Sequence, residues 1–163
     1  MNWRSTLGRL VGLGMVLAIG LTSGCATGGG GGVSELHLFG VPVAINLDQK
    51  PGPDGIGVRI YASAAGGGEG IAIRQGTLEV LLFDGIVSAA VAQTTPPLKV
   101  WSFNPSELKP YAGKTSLGAG YQLALKWGAE VPRQSVVTVI ARYRSTEGAL
   151  LWSSANTVSV AMK

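Results

Sequence analysis

Large apolar side chains alternate with small or polar ones along much of the chain after residue 34. The clearest example is the segment from Tyr121 to Trp127, where Tyr, Leu, Leu and Trp occupy every second position. Because successive side chains of a strand point to opposite faces, this pattern predicts a half-buried strand that buries Leu123 and exposes Gln122. The more continuously apolar Thr77 to Phe83 predicts a central strand, and Ser135 to Tyr143 is rich in β-branched residues, which favour strands.

Five further segments have strand-like composition and bring the expected number of strands to about seven or eight. They are Leu36 to Leu47, Val58 to Ala62, Leu98 to Phe103, Ala149 to Ser153 and Thr157 to Met162. Turn-forming clusters such as Pro51 to Gly55 and Gly66 to Gly70 separate them. The one segment that favours a short helical turn is Pro105 to Tyr111.

Many short strands without a long helix predict an all-β fold, a two-layer antiparallel β-sandwich of either immunoglobulin-like or transthyretin-like topology. Only one cysteine is present, so no disulfide within the chain can hold the sheets together. The three tryptophans that fall in expected strands are predicted to fill much of the core, although each has an alternative role as an exposed binding platform. They are Trp101, Trp127 and Trp152.

The first 25 residues differ from the rest of the chain. Arg4 and Arg9 precede an apolar stretch from Leu10 to Leu21, which has the length of a signal-peptide core and is too short to span a bilayer. Small residues then lead to Cys25, and this arrangement resembles the lipobox of bacterial lipoproteins. The resemblance implies cleavage before Cys25 and lipidation of its sulfur, whereas the alternative is an ordinary secretory signal with an incidental cysteine.

These features divide the chain into three parts. Residues 1–24 are expected to be a lipoprotein signal peptide, residues 25–33 the lipidated cysteine with a glycine-rich tether, and residues 34–163 the β-sandwich domain. The five glycines from Gly28 to Gly32 have the composition of a flexible linker. By the sorting rule of enteric bacteria, Ala26 rather than an aspartate after Cys25 favours the outer membrane, so the expected location is the periplasmic face of that membrane.

Charge changes the picture little once the leader is set aside. The net charge of +4 includes Arg4 and Arg9, and without these two arginines the chain has 11 basic and 9 acidic side chains. The remaining charges alternate in sign and form no basic stripe, which argues against nucleic acid as a partner. The expected partners are the membrane, through the lipid on Cys25, and another envelope protein.

Candidate catalytic and metal-binding residues are few. His37 is the sole histidine, and it stands without the further ligands or nucleophile that zinc or acid–base chemistry requires. Ser106 and Lys109 match the Ser-x-x-Lys pattern of penicillin-interacting serine enzymes, but capping of a short helix by Asn104 or Ser106 explains the segment better. Asp48 and Asp54 flank a proline-glycine turn and are too few for a calcium site. The sequence therefore predicts no catalytic residue, no metal site and no cofactor.

Two segments are similar to the transthyretin-like outer-membrane lipoproteins of type VI secretion systems. These are Asp48 to Tyr61, with its Pro53-Asp54-Gly55 loop, and Val139 to Arg144 followed by Leu151-Trp152. The resemblance implies a lipoprotein that anchors an inner-membrane complex. The leading interpretation is a non-enzymatic, lipid-anchored structural or protein-interaction module of the envelope, with that secretion lipoprotein and a ligand- or glycan-binding sandwich as the alternatives.

Overall fold

The computed structural model describes residues 32–160, and these residues form two packed β-sheets. The expected signal peptide, Cys25, most of the glycine tract and the last three residues lie outside the described part. In chain order the strands are β1 (Glu35–Gly40), β2 (Gly55–Ser63), β3 (Gly70–Ile71), β4 (Thr77–Asp84), β5 (Lys99–Phe103), β6 (Ala112–Thr115), β7 (Gly118–Lys126), β8 (Val136–Arg144), β9 (Leu150–Trp152) and β10 (Asn156–Ser159). The short helices are α1 (Ala89–Ala92), α2 (Pro105–Leu108) and a 3-10 turn (Lys109–Tyr111).

The first sheet contains β1, β2, β7 and β6 in that order, all antiparallel to their neighbours. The two-residue strand β3 lies beside β2 and β7 at one end, antiparallel to β2 and parallel to β7. The register between β2 and β7 places Arg59 opposite Gln122 and Gly57 opposite Ala124. These four residues all belong to the outer face of the sheet, because the residues between them are buried in the core.

The second sheet contains β10, β8, β4 and β5 in that order, and β9 also pairs with β8. Its two central strands, β4 and β8, pair antiparallel from Thr77 opposite Arg144 to Asp84 opposite Val137. Both strands are buried on each side over most of their length. This explains why Thr77 to Phe83 is nearly continuous in apolar residues, since a strand covered on both faces has no outward polar positions to alternate with.

The main core lies between the two sheets. Its largest fully buried members include Ile56, Ile60, Leu78, Leu82 and Leu123. At about 25 cal/mol per Å² of apolar surface removed from water, this cluster provides the principal force that holds the sheets together without a disulfide. The predicted all-β sandwich is confirmed, and so is the half-buried strand from Tyr121, with Leu123 buried and Gln122 exposed.

The three tryptophans have different environments. Trp127 is fully buried in the main core, as predicted. Trp101 is half-buried at the rim of that core, and its indole nitrogen donates to the Lys126 carbonyl oxygen at 3.1 Å. Trp152 packs on the outer face of the second sheet instead, against a separate apolar cluster. The prediction of a core position is therefore wrong for Trp152, because β9 continues the second sheet at its edge and directs this side chain outward.

Two details of the strand prediction differ from the structure. The segment from Leu36 to Leu47 is not one strand: β1 ends at Gly40, and Pro42 lacks the N–H group that a continuous ladder needs. Beyond it only isolated bridges form, from Val43 to Ser159 and from Ile45 to Gly55. The described part has ten strands rather than seven or eight, because β3 and β6 are too short and too rich in glycine to give an apolar pattern.

The helical segment is where it was expected. The Asn104 side chain accepts hydrogen bonds from the amides of Ser106 and Glu107, and the Glu107 carboxylate accepts one from the Asn104 amide. This reciprocal arrangement is a capping box, which satisfies amides that have no partner inside the helix. The helix α2 then continues into the 3-10 turn that ends at Tyr111. The turn delivers Tyr111 to the edge of the first sheet, immediately before β6.

Candidate functional site

The residues singled out in the sequence do not come together into one site. His37 is exposed on β1, and its Nε2 lies 3.5 Å from a carboxylate oxygen of Glu35. Within residues 32–160, no three His, Cys, Asp or Glu side chains lie close enough together to hold a metal ion. Ser106 and Lys109 belong to the capped helical segment described above, where Ser106 donates its amide to Asn104.

Asp48 and Asp54 do come together, but around a lysine. The Lys126 ammonium lies 3.2 Å from Asp48 Oδ2 and 2.9 Å from Asp54 Oδ2. Two hydrogen bonds hold the pKa of the Asp48 carboxyl below its usual value: the larger effect comes from the Lys50 amide, and the next from the Lys126 side chain. The same two carboxylates raise the pKa of Lys126, with Asp54 the larger cause. Lys126 thus supplies the positive charge that these aspartates face, and the cluster fastens the loop between β1 and β2 to β7.

A large concave surface lies on the outer face of the first sheet. It is an open groove with a volume of about 900 Å³. Its floor is formed by outward positions of β2, β7 and β6 that carry small side chains or none: Gly57, Ala124, Gly120 and Gly113. Because these positions lack bulk, the larger residues around them rise above the floor as walls. We call this surface the first-sheet groove.

Apolar and aromatic side chains form the walls of the first-sheet groove. Phe39 and Val41 stand on one side and remain 54 % and 46 % exposed. Tyr111 stands on the opposite side, 43 % exposed, with its ring edge-on to Phe103 at a centroid distance of 6.0 Å. Leu117 closes one end and is 51 % exposed. Apolar parts of all four side chains are therefore in contact with solvent.

Tyr61 is the one large side chain on this face that is almost fully buried, at 4 % exposure. Its ring lies directly over Gly120, where an added β-carbon would come within 2.6 Å of the Tyr61 Cε1 atom. Its hydroxyl lies 3.2 Å from Thr115 Oγ1, and Phe39 packs edge-on against the ring at 5.9 Å. Any side chain at position 120 would therefore displace Tyr61. The glycine keeps the ring flat on the sheet and the wall in place.

The hairpin between β6 and β7 fixes the position of Leu117. Gly118 has a φ of +91°, a conformation that residues with a side chain rarely adopt. The Leu117 amide donates to Thr115 Oγ1 at 3.1 Å, and the Leu117 carbonyl oxygen accepts from the Gly70 amide at 2.7 Å. The exposed Leu117 side chain is thus presented by an ordered backbone rather than by a loose loop.

Arg59 and Gln122 lie in the centre of the first-sheet groove. They are direct cross-strand neighbours, and Arg59 Nη2 donates to Gln122 Oε1 at 3.3 Å. Both side chains are exposed. Together they place polar groups in the middle of an otherwise apolar surface, which is the usual composition of a small-ligand site.

Sequence reasoning did not find this groove. The signal that was available is the alternation Gly57-Val58-Arg59-Ile60-Tyr61, whose even-numbered members are core residues and whose odd-numbered members form the groove. A second signal is the occurrence of glycine at outward positions 113 and 120 of neighbouring strands. Both become informative only once the register between β2, β7 and β6 is known, because the groove combines residues from distant parts of the chain.

Comparisons with known proteins give no family for this chain: no family model matches it, and no match was found among curated proteins or solved structures. The candidate site is therefore defined by the geometry alone. None of the helices in residues 32–160 is long and apolar enough to cross a membrane.

Proposed function

We propose that this protein is a lipid-anchored component of the bacterial cell envelope and that its sandwich acts there as a non-enzymatic binding module. The observation that carries the binding role is the first-sheet groove, an open apolar surface built on a rigid sheet. A concave, mostly apolar surface with a few polar groups is the usual composition of a ligand-binding site. The groove is the surface at which a binding partner would gain most from leaving water.

The structure of the walls supports a binding role over an accidental patch. Phe39, Tyr61 and Leu117 are held by an aromatic contact, a hydrogen bond to Thr115 and a tight hairpin. A surface that is already ordered loses little conformational entropy on binding, so a larger share of the contact energy becomes affinity. Arg59 and Gln122 add polar groups that give a bound partner its orientation.

The anchoring part of the proposal rests on the sequence. The cationic residues, the apolar stretch and the small residues before Cys25 support a lipoprotein leader, and lipidation accounts for a lone cysteine in an exported chain. Two or more acyl chains give stable attachment where one is marginal. A glycine-rich linker of about seven residues, as the sequence predicts here, would have a coil dimension of roughly 15 Å. The domain would stay close to the periplasmic face of the outer membrane and keep its groove free to turn.

Site-specific photocrosslinking in intact cells tests the binding role. A photoreactive amino acid at Leu117, which stands at the end of the groove, is expected to give a crosslinked product of higher mass under light. The matched control is Glu147, an exposed residue in the turn before β9 and away from the groove. Equal yields from both positions, or no product from Leu117, would contradict the proposal.

Mass spectrometry of the mature N-terminus tests the anchor separately. The expected first residue is Cys25, with a mass increase that corresponds to a diacylglyceryl group. A mature chain that begins elsewhere, or that carries an unmodified thiol, would remove the anchor and leave the binding role to be judged on the crosslinking alone.

A further inference from the structure

Arg59 differs from the other residues of the first-sheet groove. Among the described residues that line the groove, Arg59 is the only charged one. None of the ion pairs formed within residues 32–160 includes it, and its hydrogen-bond partner Gln122 is neutral. An unneutralised guanidinium surrounded by apolar groups attracts one anionic group, and it binds carboxylate or phosphate through paired N–H donors.

The floor of the groove limits what the rest of the ligand can be. Between the neighbouring strands β1, β2, β7 and β6 the backbone groups are hydrogen-bonded within the sheet, so the floor between them offers none to a ligand, and only the outer sides of β1 and β6 are unpaired edges among these described strands. An extended peptide laid on it would leave its own amides and carbonyls unpaired against apolar walls, at a cost of roughly 1–3 kcal/mol for each group. An acyl chain has no such groups, and its methylenes each gain about 0.8 kcal/mol on burial.

The size of the groove agrees with a ligand of this kind. Its volume of about 900 Å³ falls within the range of roughly 300–1,000 Å³ that is typical of small-molecule sites. Phe39, Val41 and Tyr111 line it on both sides with apolar surface, and Arg59 is placed between them. One end of an amphiphile can therefore meet the guanidinium while its chain lies along the walls.

We propose that the first-sheet groove binds an amphiphile with a single acyl chain and one anionic head group, with the head group on Arg59. This inference rests on the proposed binding role of the groove and names the chemistry of its ligand. A protein seated on the same surface would be a different occupant, and the experiments below distinguish the two.

Calorimetric titration with dodecanoate and with the neutral dodecanol tests the head-group assignment. The protein is the chain from residue 25 onward with Cys25→Ser, so that no attached lipid competes, and its folding is checked by circular dichroism. We expect dodecanoate to bind about tenfold or more tightly than dodecanol. The Arg59→Gln variant should lose this preference, whereas Arg74→Gln, which removes an exposed arginine outside the groove, should keep it.

A second variant tests the location. Ala124→Trp places a large ring on the exposed floor of the groove, opposite Gly57, and should abolish binding of both probes with little change in the melting temperature. If Ala124→Trp binds dodecanoate as wild type does, the amphiphile lies elsewhere and the proposal is wrong. Should this variant fail to fold, the comparison of Arg59→Gln with Arg74→Gln still decides the matter.

The two negative results have different meanings. Equal affinity for both probes, unchanged in Arg59→Gln, would overturn the anionic head group. Absence of binding by either probe would overturn the acyl ligand as well. In both cases the crosslinking from Leu117 reports independently whether the groove binds anything, and a protein in the crosslinked product would replace the amphiphile as occupant.

Discussion

The outer faces of the two sheets differ in whether their apolar residues are covered. On the second sheet, Leu81, Phe83 and Ile140 point away from the main core and are still at most 1 % exposed. On the first sheet, Phe39 and Leu117 are about half exposed. The difference arises because other segments of the described chain cover the outer face of the second sheet but not the first-sheet groove.

The second sheet is covered by the chain that follows β4. Thr138 Oγ1 donates to the Gly85 carbonyl and accepts from the Val87 amide, which ties this segment to β8. The segment then forms α1, capped by Ser88, and presents Ala92 to the apolar cluster. Trp152 completes the cover from β9, with the Arg142 guanidinium 5.0 Å from the centre of its ring.

No segment among residues 32–160 covers the first-sheet groove in the same way. The chain around it passes along its sides: residues after β1 on one, and the 3-10 turn before β6 on the other. The wall residues Phe39 and Leu117 thus remain about half exposed, whereas Leu81 and Phe83 on the second sheet are buried. This contrast supports the proposed binding role of the first-sheet groove.

The largest expected effect on stability is the difference between substitutions on the two faces of strand β7. Leu123→Asp would bury an unpaired carboxylate in the main core, at a cost of several kcal/mol that is comparable with the roughly 5–15 kcal/mol of a whole domain. Gln122→Asp, one position away on the groove face, should change stability by only about 0.5 kcal/mol. Denaturant titration of the two variants measures this, and equal stability would show that β7 does not separate core from groove.

A smaller but more specific effect should separate the two outer faces. Phe83→Ala on the covered face should lower the free energy of unfolding by about 3–5 kcal/mol, as expected for a buried phenylalanine. Phe39→Ala on the groove face should cost about 1 kcal/mol, mainly through loss of its edge-on contact with Tyr61. Urea titrations of both variants provide the test. A cost above 3 kcal/mol for Phe39→Ala would mean that this face has a structural role.

Two arginines at outward positions offer a third comparison. Arg142 Nε lies 2.6 Å from Glu79 Oε2, and both side chains are less than one-fifth exposed. Arg142→Gln should therefore cost about 1–3 kcal/mol, because the Glu79 carboxylate is left without its main partner. Arg59→Gln should cost about 0.5 kcal/mol or less, since its one protein partner is a neutral amide. Thermal melts of both variants would contradict this view if their order were reversed.

The sequence predicted the core face of the molecule better than its outer faces. Alternation along Tyr121 to Trp127 was sufficient to place Leu123 inside and Gln122 outside, because burial is a local property of one strand. Trp152 was misplaced because its orientation depends on the pairing of β9 with β8, which sets it opposite Arg142 on the outer face. The groove depends on the pairing of β2 with β7, some 60 residues apart, and single-strand patterns contain no information about that pairing.

The smallest expected effect is the loss of stability at acidic pH, to which carboxylates near both sheets contribute. Hydrogen bonds and charge hold the pKa of Asp48 below its usual value of 3.8, with Lys50 and Lys126 as the main causes. Lys99 similarly lowers the pKa of Glu130 from 4.5. A carboxyl whose pKa is lower in the folded state adds stability above its unfolded pKa and loses it as the pH falls through the lowered value.

The Lys126→Gln variant isolates the contribution of the ion pairs that Lys126 forms with Asp48 and Asp54. At pH 7 it should be slightly less stable than wild type, and the difference should shrink as the pH falls below the usual 3.8 and through the lowered pKa of Asp48. On the alkaline side the sign is opposite: because folding raises the pKa of Lys126, its contribution is fully present below the usual 10.5 and is lost as the pH rises through the raised value. Urea midpoints of the two proteins at pH 7, 4 and 2.5 measure the effect. A difference that grows as the pH falls would show that Lys126 does not stabilise the fold through Asp48 and Asp54.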